Sequence, residues 1–228
     1  GKLLCQNLLP MSDFHEIVQA QTETSDALTR VRMKGSLSLS GVRDVRDSLK
    51  RLEIGSALGI PELLSISSLL TVAARAKAYG QHEESEEFPD DSLDSMFRSL
   101  EPVTSVNNEI KRCILSEDEI SDNASPGLHK VRRSMHGIND RIHTQLNSIL
   151  NSLPVKAEYK SQVNGMVHDQ SSTGSTLFIE PMAVIQLNNE LRTLEIQEQK
   201  EIEAVLADLS GQLMPYTEEL AIDLQILS

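Results

Sequence analysis

The chain has 228 residues and a formal charge of −13, with 39% apolar residues, 3% aromatics and no tryptophan. That charge argues against a protein that coats nucleic acid by bulk electrostatics, because phosphate backbones are bound by neutralising them with Lys and Arg. Cys5 and Cys113 stand alone, without CxxC or Cys/His clusters, and no run of about eighteen apolar residues occurs. A disulfide framework, a structural zinc site and a membrane span are therefore not expected, and a cytoplasmic location is.

Abundant Leu, Ile, Ala, Glu and Gln make this a helical composition. From Asp13 to Met33, Phe14, Ile17, Val18, Leu28 and Val31 recur at helical spacing, with Ser12 or Asp13 as the cap and Gly35 as the stop. Gly41 and Asp44 open a second helix, over Val42 to Ile54. Pro61 then sits in a first helical turn, where proline is tolerated, and that helix runs to a terminating Gly80. Acids crowd His82 to Asp94 and again Glu117 to Asp122, and like charges that dense read as solvated loop. Shorter helices are predicted over Ser92–Leu100 and Val103–Ile114.

Beyond Pro126, Leu128, Val131, Met135, Ile138, Ile142, Leu146, Ile149 and Leu153 form a near-heptad seam along one long helix. A second seam follows at Val184, Leu187, Leu191, Leu194, Ile202, Val205 and Leu209, with Glu198 interrupting it. Two long helices joined by a compact insert pair antiparallel, each covering the other's stripe, and about 25 residues at 1.5 Å rise project roughly 40 Å. Between them VNGMVHD and STLFIE, separated by QSSTG, read as a β-hairpin. The expected fold is mainly α. A helical core (1–124 and 214–228) carries a coiled-coil-like antiparallel lever (125–153 and 183–213) with a small β clamp at its tip (154–182).

Several chemistries can be weighed on these residues. A P-loop needs GxxxxGK[ST], since the lysine must reach the phosphates and the hydroxyl must ligate magnesium; no stretch contains it. A serine of STGS with His168 and Asp169 as a relay fails because adjacent strand residues point to opposite faces. His129, His136 and His143 recur every seven residues, two turns or about 10 Å apart, too far for one ion. Lys130, Arg132, Arg133 and Arg141, with Lys156 and Lys160 nearer the tip, form either a solvated helix face or the basic side of an arm that lies against a phosphate backbone.

HDQSSTGSTLFIEP followed by NNELRTLE, with PVKAEYK before it, resembles the signature of the second branch of bacterial MutS proteins, the MutS-II type. QTETSDAL, LSGVRDVRDSL, IPELLSISSLL and SEDEISDNASPGLHKVRRSM are similar to that family's core and its entry into the lever. The resemblance implies a core, lever and clamp from a homodimeric ATPase whose arms enclose branched or duplex DNA, with links to recombination control and to collided ribosomes and rRNA. It implies ATP and Mg in the parent protein and no cofactor or membrane contact for this region. Neither a Walker motif nor the Smr nuclease domain many members carry is present, so a non-catalytic region is expected. Leu153 also runs directly into Pro154, where the family usually has a longer stretch with a basic strand. In this frame Gly165, His168, Gly174, Phe178, Glu180 and Pro181 form a structural clamp motif rather than a catalytic one. The alternative is a protein-interaction or dimerisation module that uses apolar seam residues such as Ile138 and Leu194.

Overall fold

The structure is a computed structural model that describes residues 10–81, 91–150, 164–170 and 177–228, with 148–150, 166–170 and 177–180 in backbone only. In chain order it contains α1 (Phe14–Lys34), α2 (Arg46–Glu53), α3 (Ile60–Gly80), α4 (Asp94–Ser99), α5 (Thr104–Cys113), β1 (Ile114–Ser116), β2 (Glu119–Ile120), α6 (Pro126–Leu150), β3 (Gly165–Gln170), β4 (Leu177–Pro181), α7 (Met182–Leu213), a 3-10 turn (Met214–Tyr216) and α8 (Thr217–Leu227). The fold is mainly α, as expected. The chain divides into two compact units, Gly1–Glu119 with Leu206–Ser228, and Ile120–Val205.

In the first unit α3 is the central element. Leu63, Ile66, Leu69, Leu70, Val72, Ala73 and Ala76 are all buried, as befits a helix that is apolar nearly all round. Neighbours α4, α5 and α8 pack on it, contributing Leu100, Val106, Ile110, Leu220 and Leu224 to the core. The Glu62 carboxylate accepts from the Gly59 N–H at the start of α3 (2.9 Å) and pairs with Arg51 (2.7 Å), tying α2 to it. Several polar groups inside this unit are partnered: Ser67 donates to Asn107 (2.7 Å), Ser210 accepts from the Leu58 N–H (2.9 Å), and one Asp223 oxygen accepts from the Glu101 N–H (2.9 Å) while its other oxygen has no hydrogen-bond partner.

Two sequence expectations change here. The second helix begins at Arg46 rather than Val42. Gly41 turns the chain at φ 102°, and Asp44 holds the Arg46 N–H (3.1 Å) and guanidinium before the helix starts. Gly80 ends α3 from inside the helix, not as a left-handed cap beyond it; a Cβ there would overlap the Phe97 side chain, so the glycine serves helix packing.

The first helix has the expected bounds. The Asp13 carboxylate accepts from the N–H groups of His15 (2.9 Å) and Glu16 (3.1 Å), and Gly35 stops the helix at φ 82°. Its orientation is the reverse of what its apolar spacing suggests. Arg30, 5% exposed, turns inward to Asp91 and Asp94 and lies 5.0 Å over the Phe97 ring. Asp26 accepts from the Ser92 N–H and hydroxyl, and Tyr79 donates to the Gly35 carbonyl. Phe14, Val18, Leu28 and Val31 are left exposed.

Candidate nucleic-acid interface

The second unit is built on α6 and on α7 up to Val205. Gly127 lies against the Glu201 carboxylate, Arg132 pairs with Glu198 and Arg141 approaches Glu190. Residue numbers fall on α7 as they rise on α6, which makes the pair antiparallel. Ser125 caps α6 by accepting from the Leu128 N–H (3.0 Å) and donates to Glu201 (3.3 Å), a carboxylate well placed at a helix N-terminus. Leu128, Val131 and Ile138 are buried from α6, and Val184, Leu187 and Val205 from α7. Burial fades along α6 until Leu146 is 39% exposed.

Antiparallel β3 and β4 form the expected hairpin, with Gly165 opposite Pro181, Met166 opposite Glu180 and Asp169 opposite Phe178. The register slips between Val167 and Asp169, placing His168 at a β-bulge. Pro181 ends β4 and α7 begins at once with Met182, whose N–H donates to the Asn164 carbonyl (3.0 Å). Lys156, Lys160 and Gly174 lie outside the described residues.

The basic residues of α6 separate into two kinds. Arg132 turns sideways into the fold: its Nε donates to Glu198 (2.7 Å), and its Nη1 to the Ile120 carbonyl (2.6 Å) and Asp122 (2.5 Å), at 20% side-chain exposure. Burial works to lower its pKa, but the two carboxylates outweigh it and hold the guanidinium charged. The interruption of the α7 seam at Glu198 is the other half of this pair. Arg132, expected as a backbone contact, is thereby committed to structure.

Lys130 and Arg133 are exposed and make no side-chain hydrogen bond or ion pair among the described residues. Arg141 is 65% exposed and only 4.0 Å from Glu190, a contact worth little in water. At 100° per residue Lys130, Arg133 and Arg141 fall within about 80° of one another, centred on exposed Gly137, whereas Arg132 sits about 100° from Arg133. This helical-wheel distinction was available in the sequence; the acceptors Asp122 and Glu198 were not, because they are distant along the chain. The stripe spans roughly 16 Å of helix, comparable to about five nucleotides of one strand at 3.4 Å each. At its distal end Arg141 lines a groove of about 280 Å³ with Thr144, Gln186 and Glu190.

His129, His136 and His143 are exposed on the flank of α6, and among the described residues no group of His, Cys, Asp and Glu is arranged to hold a metal ion. Cys113 is buried, and burial first of all pushes its thiol pKa up, away from a reactive thiolate. No described helix is long and apolar enough to cross a membrane.

No family model matches the chain. Curated bacterial proteins do. It is 53% identical over 235 residues to the Endonuclease MutS2 of Lachnoclostridium phytofermentans, covering 92% of this chain and 30% of that protein. It is 50% identical over 247 residues to the Endonuclease MutS2 of Agathobacter rectalis and 39% identical over 247 to that of Clostridioides difficile, each match covering 100% of this chain and 31% of the relative. The chain thus spans about a third of the length of the curated relatives it matches. The 247 aligned positions exceed its 228 residues by 19, so those relatives carry positions that have no counterpart here.

Proposed function

We propose that this chain, a MutS2-type region, grips the phosphate backbone of nucleic acid through Lys130, Arg133 and Arg141. The observation that carries the reading is charge placement. In a chain of −13, α6 holds four cations against a single acid, Asp140, and three of the four line one exposed strip. A cation without an ion pair can turn to a phosphate without first breaking one, whereas a paired cation must break its pair. Lys156 and Lys160 would extend the contact toward the hairpin. The clamp motif at Gly165, His168, Phe178, Glu180 and Pro181 serves to turn the chain between the two arm helices.

Branched or duplex DNA is the proposed ligand, with ribosomal RNA as the second candidate. ATP with Mg, homodimerisation and any nuclease step belong, in this reading, to the longer protein of which the relatives are examples. The alternative of an interaction module built on the arm seam would use Ile138, which is buried within the arm, and Leu194, which is half-buried.

Fluorescence anisotropy with a labelled four-way junction, a linear duplex and structured RNA at two salt concentrations tests the proposal. Binding is expected to fall steeply with salt, and each of Lys130→Ala, Arg133→Ala and Arg141→Ala to flatten the log–log slope by about one. Binding indifferent to all three substitutions would remove α6 from the interface.

A further inference from the structure

Two carboxylate oxygens inside the first unit have no partner, and they belong to residues one helical turn apart on α8. Asp223 is 0% exposed: its Oδ1 accepts from the Glu101 N–H (2.9 Å), whereas its Oδ2 is buried with nothing to bond. Glu219 is half-buried, and its Oε2 is likewise buried and unpartnered. Residues four apart lie side by side on a helix face, and the Glu219 charge acts on Asp223. Both atoms are closed off within the fold, so their need does not depend on what covers the outside of this unit.

A carboxylate only accepts, so two of them cannot satisfy one another, and two such charges in a dry site repel. One proton removes both defects, because it neutralises one group and makes its oxygen a donor to the other. The neighbouring elements offer no substitute. Lys77 of α3 is spent on the Leu100 carbonyl (2.7 Å) and on Glu101 (3.7 Å). The charged residues of α2 are exposed, Asp94 and Arg98 of α4 are engaged with Arg30 and with each other, and the 3-10 turn carries no charge. Burial, with the Glu101 and Glu219 charges, pushes Asp223 up to about 6. The pair also lies against a strained turn. Between α4 and α5, Val103 is buried at φ 35° and ψ 55°, a left-handed conformation that a β-branched residue rarely adopts, and Asp223 holds that turn through the Glu101 N–H.

We propose that Asp223 and Glu219 share one proton and form a proton-operated latch between α8 and the turn at Glu101 to Val103. With the proton held, one oxygen donates to the other and α8 is closed on the turn. When the proton leaves to solvent, two carboxylates repel and the latch weakens. Carboxyl carbon NMR of the whole chain measures the Asp223 titration, expected at about 6. Glu219→Gln keeps the side-chain size, removes the competing charge and supplies an amide donor, and should lower that midpoint by about one pH unit or more. Hydrogen exchange at the Glu101 amide, corrected for its intrinsic pH dependence, should quicken about tenfold between pH 5 and pH 8. It should not do so in Asp223→Asn, whose amide can accept from Glu101 and donate to Glu219 at every pH. An Asp223 midpoint in the ordinary carboxylate range, or one unmoved by Glu219→Gln, would overturn the shared proton. Corrected exchange at Glu101 that ignores pH would overturn the latch, and a response to sodium or magnesium at fixed pH in place of a response to pH would give the two oxygens to a metal ion instead.

Discussion

Replacing Arg132 with alanine should lower stability without acting directly on ligand binding, the opposite of what its place in a basic cluster suggests. Three bonds are lost. The Ile120 carbonyl bond at 2.6 Å and the Glu198 bond at 2.7 Å are part-buried and charge-assisted, whereas Asp122 at 59% exposure contributes little. A hydrogen bond to a charged group is worth about 1.5–3 kcal/mol, and stranding a fully buried partner costs about 3–5 kcal/mol. Glu198 is 23% exposed and recovers part of its hydration, so a loss of about 2–3 kcal/mol is expected. Urea denaturation followed by circular dichroism reads it, with Glu198→Ala completing a double-mutant cycle whose coupling should be about 1 kcal/mol or more. Arg133→Ala, one position along and exposed, should stay within about 0.5 kcal/mol of wild type. If Arg132→Ala also stayed within that range, the structural role of the guanidinium would be refuted and Arg132 would return to the candidate interface.

Asp223 is pushed up to about 6, first by burial and then by the Glu101 and Glu219 charges, against the opposing Glu101 N–H and Lys77. A carboxyl raised on folding stabilises the protein where it is protonated, so this contribution falls as pH rises from about 4 to 6 and is absent at neutral pH. Asp223→Asn, which keeps an acceptor for the Glu101 N–H, should therefore be more stable than wild type at neutral pH by about 1–3 kcal/mol, with the gain gone near pH 4; a gain independent of pH would exclude titration as its cause. Asp91 is held below the usual carboxylate range, first by Arg30, so its contribution is kept at neutral pH and lost on acidification below about 4. Two glycines should respond oppositely to alanine. Gly80→Ala forces a Cβ into Phe97 and should cost about 1–3 kcal/mol, while Gly137→Ala, exposed and open, should gain about 1 kcal/mol; thermal melts of the two variants that moved the same way would contradict the packing described for Gly80.

The long elements were legible because periodicity accumulates over many turns: the seams of α6 and α7 are partly buried as their spacing implies, and Pro61, Asp13 and Gly35 mark helix ends by local chemistry. What escaped was decided by partners far along the chain. Apolar spacing in α1 named the helix but not the side on which it docks. Arg30 is drawn inward by Asp91 and Asp94, more than sixty residues away, and three close charge-assisted bonds and a ring under the guanidinium set the docked side. The bulge at His168 likewise depends on how β4 pairs, which alternation in β3 alone does not encode.

The same principle decides what the basic residues are for. A sequence displays cations as equals, but each of the structural ones is consumed where a carboxylate from a distant segment reaches it: Arg30 by Asp91 and Asp94, Arg51 by Glu62, Arg132 by Glu198. The acidic excess that argues against bulk electrostatic binding thus helps to build the fold. It also selects which cations remain for a ligand, because among the described residues Lys130 and Arg133 have no ion pair and Arg141 has only its 4.0 Å approach to Glu190. Binding by such a surface would be local and geometrically restricted to one strip of one helix, so its affinity should come from a few phosphates per arm and rise sharply only when two arms act on the same polymer.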